Sequence, residues 1–218
     1  MKFWRRHWYY IGGVLFIALA FFMGFCGANI FSRIQVILIF SFMAMLIHQV
    51  EEYGIPGGFP SINNMVSFKE KKAPDRYPFN ANQVWISNVF LTYTFYIAAI
   101  IFPHLIWLAI SQMVLGFLQF FAHGIFINVR LKSIYNPGLG STIFLQYPIG
   151  IYYIWYVTTN NLASTTDFII GIPCALIAGV LLFGLPILLL RNRESKYPFA
   201  EEEMYGFAKE KIKKMTAN

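Results

Sequence analysis

His48-Gln49-Val50-Glu51-Glu52 delivers one imidazole and two carboxylates to the end of a run, Ile34 to Val50, that holds no Lys, Arg, Asp or Glu. On a helix, residues at i, i+3 and i+4 share a face. His48, Glu51 and Glu52 can therefore converge on a metal ion, a water or a proton. Two neighbouring carboxylates repel each other, and at a helix C-terminus they also meet the negative end of the dipole. A metal ion, a retained proton, or a Lys or Arg from a loop would compensate. Ionisable groups at the edge of so apolar a helix mark a functional site by default.

Other polar groups can join them. Gln112, Gly116, Gln119 and His123 are spaced 4, 3 and 4, which places them on one helical face. Gln112 and Gly116 read as helix-packing residues, because Gly lets backbones approach and Gln bonds across helices. Gln119 and His123 are open between packing and a site. His48, Glu51, Glu52 and His123 make a reasonable first shell for a divalent metal, zinc or iron-type. Alternatively, Glu51 or Glu52 acts as general base on a water, with His123 as acid/base partner and Asn88 as hydrogen-bond donor. A third reading is a buried polar cluster that locks helices together. His7, beside Arg5 and Arg6, reads as interfacial. His104 falls at the opposite end from the acidic pair. The chain has no HExxH helix, GxSxG elbow or GxxxxGK[ST] loop.

The elements that position these groups follow from composition. Of 218 residues, 57% are hydrophobic and only 12% charged, against about 25% charged in soluble domains. That implies an all-α, polytopic transmembrane bundle whose first partner is the lipid bilayer. A span needs about 20 mostly apolar residues. Six are expected: 8–25, 33–53, 84–102, 104–127, 141–157 and 168–190, with Pro103-His104 breaking one long charge-free stretch into a hairpin. All basic residues except Arg33 then fall on one side if both termini are cytoplasmic. The net charge of +7 reflects that asymmetry and does not point to nucleic acid. Residues 1–190 form the expected membrane domain, its first segment a retained helix and not a removed signal. Residues 191–218 form a basic cytoplasmic tail. Met204, Phe207, Ala208, Ile212 and Met215 can make an apolar stripe there, resting on the inner leaflet or belonging to a solvated helix. Cys26 and Cys174 lack metal-ligand spacing and read as small apolar residues near helix ends, where a disulfide would also need specific geometry.

On this orientation His48, Glu51 and Glu52 lie at the cytoplasmic end of the second span. Asn88 lies one turn inside the third, and His123 near the end of the fourth, followed by Asn128. Two Pro-Gly turns, 54–60 and Tyr135-Asn136-Pro137-Gly138, fall on the same side.

His48-Gln49-Val50-Glu51-Glu52-Tyr53 with Pro56-Gly57-Gly58-Phe59, and then Asn88, His123 and Tyr135-Asn136-Pro137-Gly138, resembles the bacterial multi-pass membrane proteins named for their HXXEE motif. The resemblance covers roughly residues 34–142 and implies a plasma-membrane protein with a polar site but no assigned reaction. By ingredients alone the chain is also similar to the glutamate-dependent CAAX-type membrane proteases, through Glu51-Glu52, His123 and Asn128. It departs from them in lacking an Arg after the Glu pair and in a His123–Asn128 spacing one residue longer. The expected function is hydrolysis of a lipid or membrane-bound peptide, metal- or glutamate-dependent. The competing class is a non-enzymatic carrier, immunity or regulatory protein.

Overall fold

A computed structural model describes residues 2–216, and among them every regular element is helical. The main ones, in chain order, are α1 (Lys2–Gly27), α2 (Arg33–Tyr53), the short α3 (59–67), α4 (Ala81–Ile101), α5 (Ile106–Leu131), α6 (139–159), α7 (Thr165–Leu190), α8 (Glu201–Tyr205) and α9 (Lys209–Thr216). Five of them, α1, α2, α4, α5 and α7, are long and apolar enough to cross a membrane. The remaining expected span, α6, is continuous over 139–159 but is not among those five. Ser141, Thr142 and Gln146 at its start and Thr158-Thr159 at its end dilute its apolar content.

Local chemistry sets the boundaries. Ser32 and Ser164 each start a helix with a reciprocal cap, to Gln35 and to Asp167, which satisfies amide groups that have no partner inside the helix. The Asn80 side chain accepts from the Gln83 amide to open α4. Gly54 and Pro56 end α2, and the 102–105 turn around Pro103-His104 closes the α4–α5 hairpin as expected.

Helix α2 lies at the centre: 61% of its most apolar stretch is buried, against 17% for α1 and 22% for α7. Ile37 and Leu38 of α2 pack with Ala99 of α4, Ala109, Ile110 and Met113 of α5, and Tyr153 and Val157 of α6. Gln112 donates to Ser41 Oγ at 2.9 Å across the α5–α2 contact, a packing role. Six helices contain widened π-helical turns: Ile86–Thr92 in α4, Phe121–Ile127 in α5 and Thr142–Gln146 in α6, besides Met23–Gly27 in α1, Ile62–Ser67 in α3 and Val180–Gly184 in α7. Such turns recur at functional sites because they rotate side chains out of regular register. The first carries Asn88 and the second His123.

The tail does not stand free. Ala208 and Ile212 pack with Ile62, Val66, Ile127 and Leu131 at the end of the bundle, and Met204 packs with Trp8, Tyr53 and Phe199. Part of the expected apolar stripe is therefore spent on the protein's own surface, while Phe207 stays 49% exposed. Gly206, at φ +37°, breaks the stripe between α8 and α9 and lies against Gly57, whose carbonyl accepts from the Phe207 amide at 3.2 Å. Cys26 and Cys174 are both free thiols.

Candidate metal centre

His48 and Glu52 sit one helical turn apart on α2 and face His123 from the widened turn of α5. All three are buried, at 1%, 5% and 1% exposure. His48 Nε2 lies 3.7 Å and His123 Nε2 3.3 Å from the same atom, Glu52 Oε1. The three ligand-type atoms lie within 4.8 Å of one another, so one metal ion could touch all of them.

The protons on the imidazoles can be placed by their partners. His48 Nδ1 is 3.0 Å from the Gly138 carbonyl oxygen and 3.1 Å from Ser141 Oγ. A carbonyl only accepts, so Nδ1 carries the proton. His123 Nδ1 is 2.7 Å from Asn136 Oδ1. The orientation of that amide is set by its Nδ2, which donates to the His123 carbonyl and to Asn128 Oδ1, both at 2.7 Å. Asn136 Oδ1 is thus an acceptor, and His123 Nδ1 is the donor. With one proton on each ring, both imidazoles present an Nε2 lone pair toward a carboxylate oxygen. Outer partners of this kind are what fix metal-ligating histidines in other proteins.

Three acceptors aimed at one point repel unless something positive stands between them. A proton on His123 would pair it with Glu52 but leave His48 unanswered. His48 Nε2 is buried and has no hydrogen-bond partner. A divalent ion answers all three. Around a tetrahedral zinc with bonds of ~2.0 Å, ligand atoms sit roughly 3.3 Å apart, close to the 3.3 and 3.7 Å found here.

Glu51 points elsewhere. Consecutive residues on a helix diverge by about 100°, so the two carboxylates separate. Glu51 Oε1 accepts from Tyr135 Oη at 2.8 Å and from the Gly140 amide at 2.9 Å, and Oε2 accepts from the Ser141 amide at 2.7 Å and its hydroxyl at 2.6 Å. It therefore caps the first turn of α6 from a neighbouring helix, where orphan amides and the positive dipole end favour an anion. Tyr135, outside the spanning helices, has its phenol pushed up, first by burial and then by its bond to Glu51.

Gly138 joins the two histidines. It has φ +102°, a conformation that favours glycine. A Cβ there would collide with His123 Cε1 and come within 2.9 Å of His48 Cε1. On the other side Phe59 stacks on the His123 ring, with centroids 5.4 Å apart at 25°.

A cavity of about 130 Å³ adjoins His48 and Glu52, lined by Gln83, Ser87, Asn88 and Gln119 among apolar residues that include Met45, Phe183 and Ile187. Asn88 therefore lines the cavity beside the cluster without hydrogen-bonding to it. Its amide donates to the Val84 carbonyl and accepts from Gln49. Gln83 Oε1 is buried without a partner. His7 bonds to the Phe3 carbonyl and His104 lies exposed in the α4–α5 turn, both away from the cluster. The residues that sequence reasoning did not assign to the site are Asn136, Gly138, Ser141 and Phe59. The turn chemistry of 135–138 was the available signal, since Asn-Pro-Gly fixes a tight reversal.

Comparison with curated proteins and with solved structures finds no match. The family model described as a protein of unknown function with HXXEE motif matches residues 39–153. That is more than half of the chain, and the chain belongs to this family.

Proposed function

We propose that this member of the HXXEE-motif family is a membrane metalloenzyme in which His48, Glu52 and His123 hold one divalent ion, and that it hydrolyses a lipid or membrane-bound peptide. The single observation that carries the reading is the convergence of the His48 and His123 Nε2 atoms on Glu52 Oε1, with His48 Nε2 buried and without a hydrogen-bond partner. Two imidazoles and one carboxylate suit zinc or an iron-type metal and leave coordination positions open. Such an ion supplies Lewis acidity and activates water.

The chain's own residues have distinct parts in this reading. His48, Glu52 and His123 bind the ion. The Gly138 carbonyl and Asn136 hold the histidines in the right tautomer. Glu51 is a positioning residue that secures the start of α6 and hence Gly138. Gln83, Asn88 and Gln119 line the adjoining cavity with neutral polar groups, and the unpartnered Gln83 Oε1 offers an acceptor to a substrate N–H or O–H. Met45, Phe183 and Ile187 provide apolar wall for the rest of a lipid-like substrate. The excess of Lys and Arg at the same end of the helices supports a cytoplasm-facing site with both termini inside, α6 completing six spans in a plasma membrane.

A carrier would need polar groups continuing toward the far end. Thr92 donates to the Ser87 carbonyl and Gln112 Nε2 to Ser41 Oγ, so these donors are spent on packing, and residues 77–129 hold no Lys, Arg, Asp or Glu to continue a charged path. That favours an enzyme. The test is product release from a panel of lipid esters, lipid amides and membrane peptides by the zinc-loaded protein in proteoliposomes. Turnover by wild type that Glu52→Ala abolishes supports hydrolysis. Equal turnover by Glu52→Ala, or none across the panel in metal-loaded wild type, rejects it.

A further inference from the structure

We propose that a second site, a basic recess between the start of α1 and the segment after α7, binds the phosphate-bearing headgroup of an anionic phospholipid. The recess has a volume of about 300 Å³ and is lined by Lys2, Arg5, Arg6 and Lys196 together with Ala81, Tyr197 and a proline. Four cations come from opposite ends of the chain, and no acid is among the lining residues. Like charges brought together repel, so their collection around one recess calls for an anion.

The recess is built and not a meeting of loose arms. The Arg5 guanidinium lies over the Tyr197 ring, 4.4 Å from its centroid, and donates to Asn82 Oδ1 at 3.4 Å. The Ala81 amide donates to the Tyr197 carbonyl at 3.0 Å, and the Phe199 amide to the Asp75 carbonyl at 2.8 Å. These bonds tie the 196–199 segment to the start of α4 and to the loop before it. Glu203, within electrostatic reach of Arg6, is not among the lining residues and accepts from the Ala200 amide at 2.6 Å and from Tyr9 Oη at 3.4 Å.

The surroundings select a lipid over a free anion. Phe3 and Trp4 are 60% and 51% exposed beside the cations, and Val14, Ile17 and Phe21 continue an exposed apolar surface along α1. A ligand charged at one end and apolar along its length matches that sequence of surfaces. Guanidinium groups fit phosphate oxygens in pairs, and basic pockets at the ends of spanning helices are suited to lipid headgroups. A second basic groove, with Lys69, Lys71 and Arg130, is less suited. It contains Glu70, a carboxylate that opposes an anionic ligand.

Native mass spectrometry of the full chain, released from nanodiscs of mixed phosphatidylglycerol and phosphatidylcholine, reads the lipid retained. Wild type is expected to retain phosphatidylglycerol over phosphatidylcholine by roughly tenfold or more. Arg5→Gln/Arg6→Gln is expected to lose that preference. Lys2→Gln/Lys196→Gln, which removes only exposed side chains, should lower it about tenfold and serves if the arginine variant does not fold. Lys69→Gln/Lys71→Gln, equal in charge change, should leave it intact, and added inorganic phosphate should not displace the lipid. No preference in wild type, or an equal loss in the Lys69/Lys71 variant, would overturn the proposal. Displacement by inorganic phosphate would overturn it in favour of a free-phosphate site.

Discussion

The rings of His48 and His123 meet edge to face, with centroids 5.0 Å apart and planes at 85°, and each turns Nε2 toward one oxygen of Glu52. The arrangement is held from behind by groups on the loop between α5 and α6 and on the first turn of α6. Gly138 and Ser141 face His48, and Asn136 faces His123. The site is thus a product of α2, α5 and one short turn, and its chemistry depends on that turn keeping its shape.

The two adjacent carboxylates should separate cleanly by experiment. Glu52→Gln removes a ligand and should abolish metal retention. Glu51→Gln should keep the metal and lower stability by about 1–3 kcal/mol, because charge-assisted bonds to the α6 amides become weaker. Metal content and thermal unfolding of the two purified variants read the difference. Metal loss in Glu51→Gln at unchanged stability would reverse the assignment.

Asn136→Leu removes the acceptor that holds His123 Nδ1–H. Loss of an outer partner costs roughly 10–100-fold in metal affinity. Competition with a chelator of known affinity should show a drop of that size while the helical content stays constant. Affinity equal to wild type would mean that Asn136 does not set the His123 tautomer.

Gly138→Ala combines an unfavourable backbone conformation with a methyl group driven into both imidazoles. Strain and overpacking together should cost about 2–4 kcal/mol, and the His48–His123 geometry should not survive. Thermal unfolding in detergent, with and without zinc, measures both effects. A variant as stable as wild type and still able to bind zinc would show that the loop adjusts freely.

At the rim of the bundle, Arg193 Nη2 lies 2.7 Å from Glu70 Oε2 and, as the leading cause, holds that carboxyl down at about 2. A carboxylate whose folded pKa is depressed contributes stability above its ordinary range, and that contribution is lost as pH falls from about 4.5 toward 2. Arg193 is 53% exposed as a side chain, so screening keeps the effect small and salt-sensitive. Unfolding temperatures followed from neutral pH down through that window should fall further in wild type than in Glu70→Gln. Parallel profiles would remove the pair from the stability of this surface.

Much of this was legible in the residues. The charge-free runs placed five of the helices, four to within about four residues at each end and the first starting six residues late, because twenty apolar residues in a row have few alternatives to a long apolar helix. The four polar positions His48, Glu52, His123 and Asn88 were legible as a group of similar depth, and the first three share one cluster. Periodicity could not decide between Glu51 and Glu52. Both lie within the arc that i, i+3 and i+4 cover, and only the placement of α6 shows that Glu51 faces its amides. Nor could it show Asn136 and Gly138 against the histidines, since a loop's aim depends on the helices it joins. The tail was legible as amphipathic, but its apolar face could not be assigned between membrane and protein without knowing that Ile62, Val66 and Leu131 leave a surface for Ile212.

Metal content of the purified full-length protein, after expression with zinc and iron available, bears most directly on the His48–Glu52–His123 assignment. Wild type should carry stoichiometric metal, lost from His48→Ala, Glu52→Ala and His123→Ala and retained by a His104→Ala control. Wild type that carries no metal and takes up none on titration, or a His48→Ala protein that holds as much as wild type, would contradict it.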